Sequence, residues 1–178
     1  GDDGDEFKVH LKNNDIIRGE DGDDTIFGGN GVDGISGGDG QDTIHGQEGN
    51  DQIEGDADND IITGGLGNDT IDGGSGDDEI DGDEGDDTLE GGLGNDTIRG
   101  GAGDDIITDA NGIDSIDGGS GNDEITVSGA GAKTVSGGSG DDIITYNVDT
   151  TFNISELKGD AGDDTINGGG GNDFIFGG

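Results

Sequence analysis

The chain repeats itself every nine residues, and that period constrains its fold more than any other feature. Counted from Gly19, the units run GEDGDDTIF, GGNGVDGIS, GGDGQDTIH, GQEGNDQIE, GDADNDIIT, GGLGNDTID, GGSGDDEID, GDEGDDTLE, GGLGNDTIR, GGAGDDIIT, DANGIDSID and GGSGNDEIT, twelve in unbroken register to Thr126. Position six is aspartate in all of them: Asp24, Asp33, Asp42, Asp51, Asp60, Asp69, Asp78, Asp87, Asp96, Asp105, Asp114 and Asp123. Position eight is isoleucine from Ile26 to Ile125, with Leu89 the one substitution. A fixed short period is the mark of a stacked array rather than of a chain wrapped around one central core.

The register divides the chain into three parts. Residues 1–18 are degenerate repeats, which keep Asp15 and Ile17 in phase but lose most of the glycines. Residues 19–126 are the twelve regular units. Residues 127–178 are interrupted: VSGAGAKTVS (127–136) and YNVDTTFNISELK (146–158) depart from the motif. Between and after them the motif resumes with Asp142 and Asp164.

Within a unit, GGxGxD places glycine where the backbone must turn sharply or take positive φ, so it reads as a tight turn. The trailing x-Ile-x reads as a three-residue strand with its middle side chain on one face. A helix is excluded, because glycine at this density costs about 1 kcal/mol per residue against alanine. One such strand cannot form a sheet alone. Two units, however, make a coil of eighteen residues, and stacked coils pair their strands in parallel into two sheets with position eight between them. Ten such coils at about 4.8 Å each give a rod near 48 Å long.

Composition then says what the stack needs. Gly contributes 45 residues and Asp plus Glu another 45, against 6 Lys plus Arg, for a formal charge of −39. That sign excludes nucleic acid and anionic lipid surfaces as partners. Hydrophobic residues are only 24%, too few to offset the entropy of ordering the chain, which by composition sits at the border of disorder. No apolar run approaches a membrane span, and the lack of Cys removes disulfides and thiolate metal sites. No signal-like segment is apparent, which suits a segment of a longer chain. In the stack, Asp24 falls over Asp42 and Asp69 over Asp87, and such columns of carboxylates repel unless a cation lies between them. Hard oxygen ligands, many from glycine-turn carbonyls, favour Ca²⁺, whose binding also becomes folding free energy.

The units resemble the calcium-binding nonapeptide G-G-x-G-x-D-x-U-x of the repeats-in-toxin (RTX) family, over residues 10–126, 137–145 and 159–178 and weakly over 1–9. The resemblance implies an all-β fold: a right-handed parallel β-roll of two short-stranded parallel sheets with Ca²⁺ in the turns. It also implies the ligand pattern. Carbonyls of positions two and four and the position-six Asp of one turn join carbonyls of positions one and three and the Asp of the turn eighteen residues on. One ion would thus be held by Gly65, Gly67 and Asp69 with Gly82, Glu84 and Asp87. Residues 19–126 provide ten such pairs. The turn at 118 joins the one at 137, and pairs across 10/28 and 137/159 are left out of that count. Ten ions would bring the charge to about −19. Asp58 at position four, and Asp109–Ala110 in place of the glycine pair, are expected to strain their turns and weaken their ions.

The function expected is a calcium-binding structural module, with no enzymatic chemistry of its own, in a secreted or cell-surface bacterial protein. Family resemblance implies type I export of an unfolded chain that folds on Ca²⁺ outside, as part of a toxin, adhesin or extracellular enzyme. The module is expected to be monomeric and to have neighbouring domains. The alternative is a carbohydrate-binding accessory module of a polysaccharide-modifying enzyme. Basic residues on one sheet face would favour it, yet Lys8, Lys12, Arg18, Arg99, Lys133 and Lys158 are scattered. His10 and His45 lack a second His at ligand spacing and read as exposed polar residues. Ser75, Ser120 and Ser139 have no nearby His to form a triad. Tyr146, Val148, Phe152, Ile154 and Leu157 read as a bulged coil that interrupts a calcium column while still filling the core.

Overall fold

The computed structural model describes residues 4, 7–9, 13–147, 155–170 and 172–178. Among them every regular element is a strand, and no helix is long and apolar enough to cross a membrane. The strands form two parallel sheets, one of ten strands and one of nine, and successive strands of the chain alternate between them. The first sheet starts at Phe7–Val9 and Thr25–Asn30 and ends at Glu156–Ala161 and Phe174–Phe176; the second runs from Ile16–Asp21 to Thr165–Asn167. The chain therefore winds as a solenoid with two nonapeptides per coil.

Register shows the eighteen-residue coil directly: Thr25 pairs with Thr43 and Ile26 with Ile44. Two coils are longer. Ser115 pairs with Thr134 and Ile125 with Ile144, a step of nineteen. Val135 then pairs with Leu157 and Ile144 with Ile166, a step of twenty-two. The strands on either side of both interruptions thus stay aligned.

Many strands have six residues rather than the three expected. In Thr25–Asn30 the pairing carries on through Gly29 with Gln47 and Asn30 with Glu48. Because whole coils stack in phase, the parallel ladder continues from x-Ile-x into the first half of the glycine turn.

Position eight fills the interior. Ile17, Ile26 and their successors to Ile125, with Leu89, are at most 3% exposed, and Ile144 is fully buried. Val135 and Leu157 take the same slot in the interrupted coils and are also fully buried, so the core passes through both departures. Tyr146 is buried as well, whereas Val148, Phe152 and Ile154 lie outside the described residues. At the end of the stack the pattern fades: Ile166 is half-buried and Ile175 is 49% exposed.

Candidate metal edges

Each coil has two turns, so the turns form two edges, and the position-six aspartates stack along both. On one edge, here called the interrupted edge, the backbone N–H of Asp24 donates to Asp42 Oδ1 at 2.7 Å. Asp42 donates to Asp60 at 2.8 Å, Asp60 to Asp78 at 2.8 Å, Asp78 to Asp96 at 3.0 Å and Asp96 to Asp114 at 2.9 Å. On the other, the continuous edge, the chain of donors runs from Asp15 through Asp33, Asp51, Asp69, Asp87, Asp105, Asp123 and Asp142 to Asp164, at 2.7 to 3.1 Å. Thirteen stacked aspartate pairs result among the described residues. The pairs 15/33 and 142/164, left out of the sequence count, are among them. Extra residues on one edge leave the other in register.

Each accepting carboxylate, from Asp33 and Asp42 onward, spends Oδ1 on this ladder. Oδ2 of Asp33, Asp42, Asp51, Asp60, Asp69, Asp78, Asp87, Asp96, Asp105, Asp123, Asp142 and Asp164 is buried and accepts no hydrogen bond. The position-one glycine marks the space these atoms face. A Cβ built on Gly73 would lie 2.7 Å from both Asp78 Oδ2 and Gly91 O, and one on Gly28 2.8 Å from Asp33 Oδ2 and 2.7 Å from Gly46 O. A Cβ on Gly64 would likewise crowd Asp69 Oδ2 and sit 2.9 Å from Gly82 O. Junctions such as these therefore contain a small cradle lined by a carboxylate oxygen and a carbonyl of the following coil. Buried oxygens without a donor, converging at this scale, fit a hard divalent cation, whose Ca–O distances run about 2.3–2.6 Å.

Of the other expected ligands, Gly65 and Gly67 have φ of +116° and +120° and pack onto the carbonyls of Gln47 and Gly49. Glu84 O already accepts a hydrogen bond from the Gly67 N–H at 2.8 Å, leaving it one lone pair.

The electrostatics are those of carboxylates short of a counter-charge. Burial, helped by neighbouring aspartates and opposed by the ladder N–H, pushes Asp42, Asp69, Asp78, Asp105 and Asp123 up to about 6. Asp87 rises to about 7 and Asp60 to about 8 for the same reason. Asp51, Asp96 and Asp142 are raised as well, again chiefly by burial.

A family model for the RTX calcium-binding nonapeptide repeat matches residues 12–44, 36–71, 45–80, 63–98, 81–108, 99–129, 127–149 and 156–178. The chain belongs to the RTX repeat family. No curated protein matches it. Its two sheets are those of an RTX β-roll, a structural calcium-binding fold, and Ca²⁺ is the cation its family points to.

Three features of this RTX chain depart from the sequence reading. Asp58 does take positive φ, +73°, as expected, but Asp109 and Ala110 do not; Asp109 extends the preceding strand and pairs with Val127 instead. Positive φ falls on non-glycine residues mainly at position two, where Glu20, Gln47, Asp56, Asp83 and Asp160 adopt 66° to 84°. His45 is half-buried rather than exposed: it stacks on Phe27 with ring centroids 4.9 Å apart, and burial lowers its pKa. His10 lies outside the described residues.

A second ladder was not foreseen. The position-five side chains Asn50, Asn59, Asn68, Asp77, Asp86 and Asp104 each accept the backbone N–H of the residue eighteen positions later, at 2.7 to 3.2 Å. The abundance of Asn and Asp just before the position-six aspartate was its visible signal.

Proposed function

We propose that this RTX segment is a calcium-dependent structural module of a secreted protein, disordered where calcium is scarce and folded where it is plentiful. The observation that carries this reading is the pair of edges lined by buried carboxylate oxygens without donors. Without cations, each junction whose Oδ2 lacks a donor adds an uncompensated buried carboxylate. With them, Asp69 Oδ2 and the carbonyls of Gly65, Gly67, Gly82 and Glu84 would hold one ion with Asp87, and other junctions would repeat that set. Calcium would supply the charge neutralisation and the cross-coil ligation that the thin core does not. Because no complete site exists in the unfolded chain, binding and folding are one event. We expect about ten ions or more, the three further aspartate pairs, 15/33, 123/142 and 142/164, raising the sequence count.

An acidic, Cys-free chain that stays unfolded in low calcium suits one-step export, with folding outside the cell. No catalytic role is assigned to the segment, whose carboxylates recur alike from unit to unit. The carbohydrate-binding alternative has less support. Arg99 pairs with Glu79 and Lys158 with Glu156, and Lys133 is internal, so these residues do not make a basic face.

The test is far-ultraviolet circular dichroism during a calcium titration from excess chelator. Strand signal should appear cooperatively from a disordered spectrum. A β spectrum that persists in chelator at neutral pH would defeat the reading.

A further inference from the structure

The interrupted edge changes character after Asp114. The ten-residue unit 127–136 places Lys133, not aspartate, in the position-six slot. Its successor Thr134 pairs with Ser115, and the Thr134 N–H donates to Asp114 O at 2.9 Å, just as Ser115 N–H donates to Asp96 O at 2.8 Å. The Lys133 N–H continues the column by donating to Ser155 Oγ at 3.1 Å. The backbone is that of a calcium turn, while the side chain carries the opposite charge.

That side chain is fully buried and runs back into the junction between turns 109–114 and 127–133. Its Nζ donates to Ala110 O at 2.8 Å, to Asp114 Oδ2, and to Asp109 Oδ2 at 3.4 Å. Two of these acceptors, a position-two carbonyl and a position-six carboxylate, belong to the set expected to hold an ion. Asp114 Oδ2 accordingly has a donor, unlike Oδ2 of Asp96 before it. Asp109 stands at position one, where the other eleven regular units have glycine. Its Oδ1 lies 2.8 Å from the place a Gly91 Cβ would take, a place that a position-one carbonyl oxygen approaches in the turns before it.

We propose that Lys133 supplies covalently the cation that calcium supplies at the other junctions of this edge, so that coil 109–117 is joined to coil 127–136 without a metal ion. This rests on the calcium reading of the remaining junctions. An ammonium with three donors matches three oxygens converging from one side. It adds one charge where a calcium ion adds two, and Asp109 spans two junctions, with Oδ2 facing Lys133 at 3.4 Å and Oδ1 in the preceding junction beside Gly91. The next position-one residues in the stack, Val127 and Tyr146, are fully buried, and the Tyr146 hydroxyl donates to Gly131 O at 3.1 Å. The edge thus passes from metal junctions through a lysine junction to apolar ones.

The test uses the full chain. Native mass spectrometry at saturating calcium should count one more ion on Lys133→Asp than on wild type, and an unchanged number on Lys158→Asp, which alters a half-exposed lysine paired with Glu156. In the calcium-loaded wild type, acylation of Lys133 should be at least about 100-fold slower than that of Lys158, because it requires local opening; in chelator the two rates should converge. An unchanged ion count on a folded Lys133→Asp overturns the proposal, as does acylation of Lys133 at the rate of Lys158 in the loaded roll. If Lys133→Asp does not fold, the wild-type acylation ratio decides. If wild type binds no calcium, the calcium reading falls separately, and the same ratio decides whether Lys133 is a buried cation.

Discussion

The two edges of the roll are built from the same nine-residue units, yet only one of them keeps its carboxylate column from Asp15 to Asp164. The other keeps it from Asp24 to Asp114 and then carries Lys133, Ser155 and the buried Val127 and Tyr146. The turn 127–133 falls on that second edge, as do the described residues flanking the later interruption, Tyr146 and Ser155, and the opposite strands stay paired as Ile125 with Ile144 and Ile144 with Ile166. A solenoid of this kind tolerates insertion on one side because the other side and the core hold the register. Its stability is a sum of local junctions, not a property of one indivisible core.

The largest expected effect would act on both edges at once. Their carboxylates share raised pKa values, to about 6 for Asp42 and Asp123 and about 8 for Asp60. In the unfolded chain they titrate near 3.9. The folded, calcium-free roll therefore binds more protons than the unfolded chain between about pH 4 and pH 8, and its stability falls as pH rises through that window. In chelator, strand signal should be absent at pH 8 and return in part on acidification towards pH 4. Calcium affinity should move the opposite way, strengthening with pH. A chelated roll that is more stable at pH 8 than at pH 5 would contradict the charge argument for both edges.

Next in size is a comparison of single aspartates. Asp87 lies between Asp69 and Asp105 on the continuous edge, so on the proposed calcium reading Asp87→Ala removes a ligand from two junctions. If each ion contributes about 2.7 kcal/mol at a hundredfold excess over its Kd, the loss is about 5 kcal/mol. Asp173 follows Ser155 in the interrupted column, and Asp173→Ala should cost well under about 1 kcal/mol. Chemical denaturation at fixed calcium measures both; equal losses would erase the distinction between a filled and a broken column.

A smaller effect concerns the order in which coils loosen. On stepwise lowering of calcium, the amides of Thr165 and Phe174, which donate to Asp142 O and Ser155 O, should exchange before those of Thr70 and Thr88, which donate to Asp51 O and Asp69 O. Uniform loss of protection along the chain would mean that the interruptions are energetically silent.

The smallest is local. Asp58 holds φ of +73° where the motif has glycine. Asp58→Gly should raise stability by up to about 1 kcal/mol by removing that strain. The same change at Ala57, whose φ is not positive, should lower it slightly, and thermal unfolding in calcium would separate the two.

The period was enough to read two parallel sheets, the coil length, the Ile17-to-Ile144 core and the stacking of Asp69 on Asp87, because each repeats the same local chemistry many times. What was hidden depends on single residues whose role appears only when coils are superposed. Lys133 looks like one scattered base until Thr134 is seen to pair with Ser115, which puts it in an aspartate's place. Position two was read as glycine by motif, yet Gln47 and Asp83 hold the same left-handed backbone, since the stack above and below leaves the turn no other path. The pairs 15/33 and 142/164 were obscured because the motif breaks near them in sequence, whereas the strands that follow them stay paired, Ile17 with Ile35 and Ile144 with Ile166.

The cradle beside each position-one glycine has a practical consequence. A single methyl group there, as in Gly73→Ala, would enter the space faced by Asp78 Oδ2 and Gly91 O while leaving every oxygen of the site in the sequence. On the proposed calcium reading, ion number would then be stepped down one junction at a time, at chosen heights along the rod, without touching a charge, the added methyl of Gly73→Ala also pressing within 2.7 Å of the backbone carbonyl of Gly91 in the next coil. A series of such alanines would yield rolls of equal formal charge but graded calcium demand, and so a molecular ruler for how many neutralised junctions a solenoid needs before it will stand.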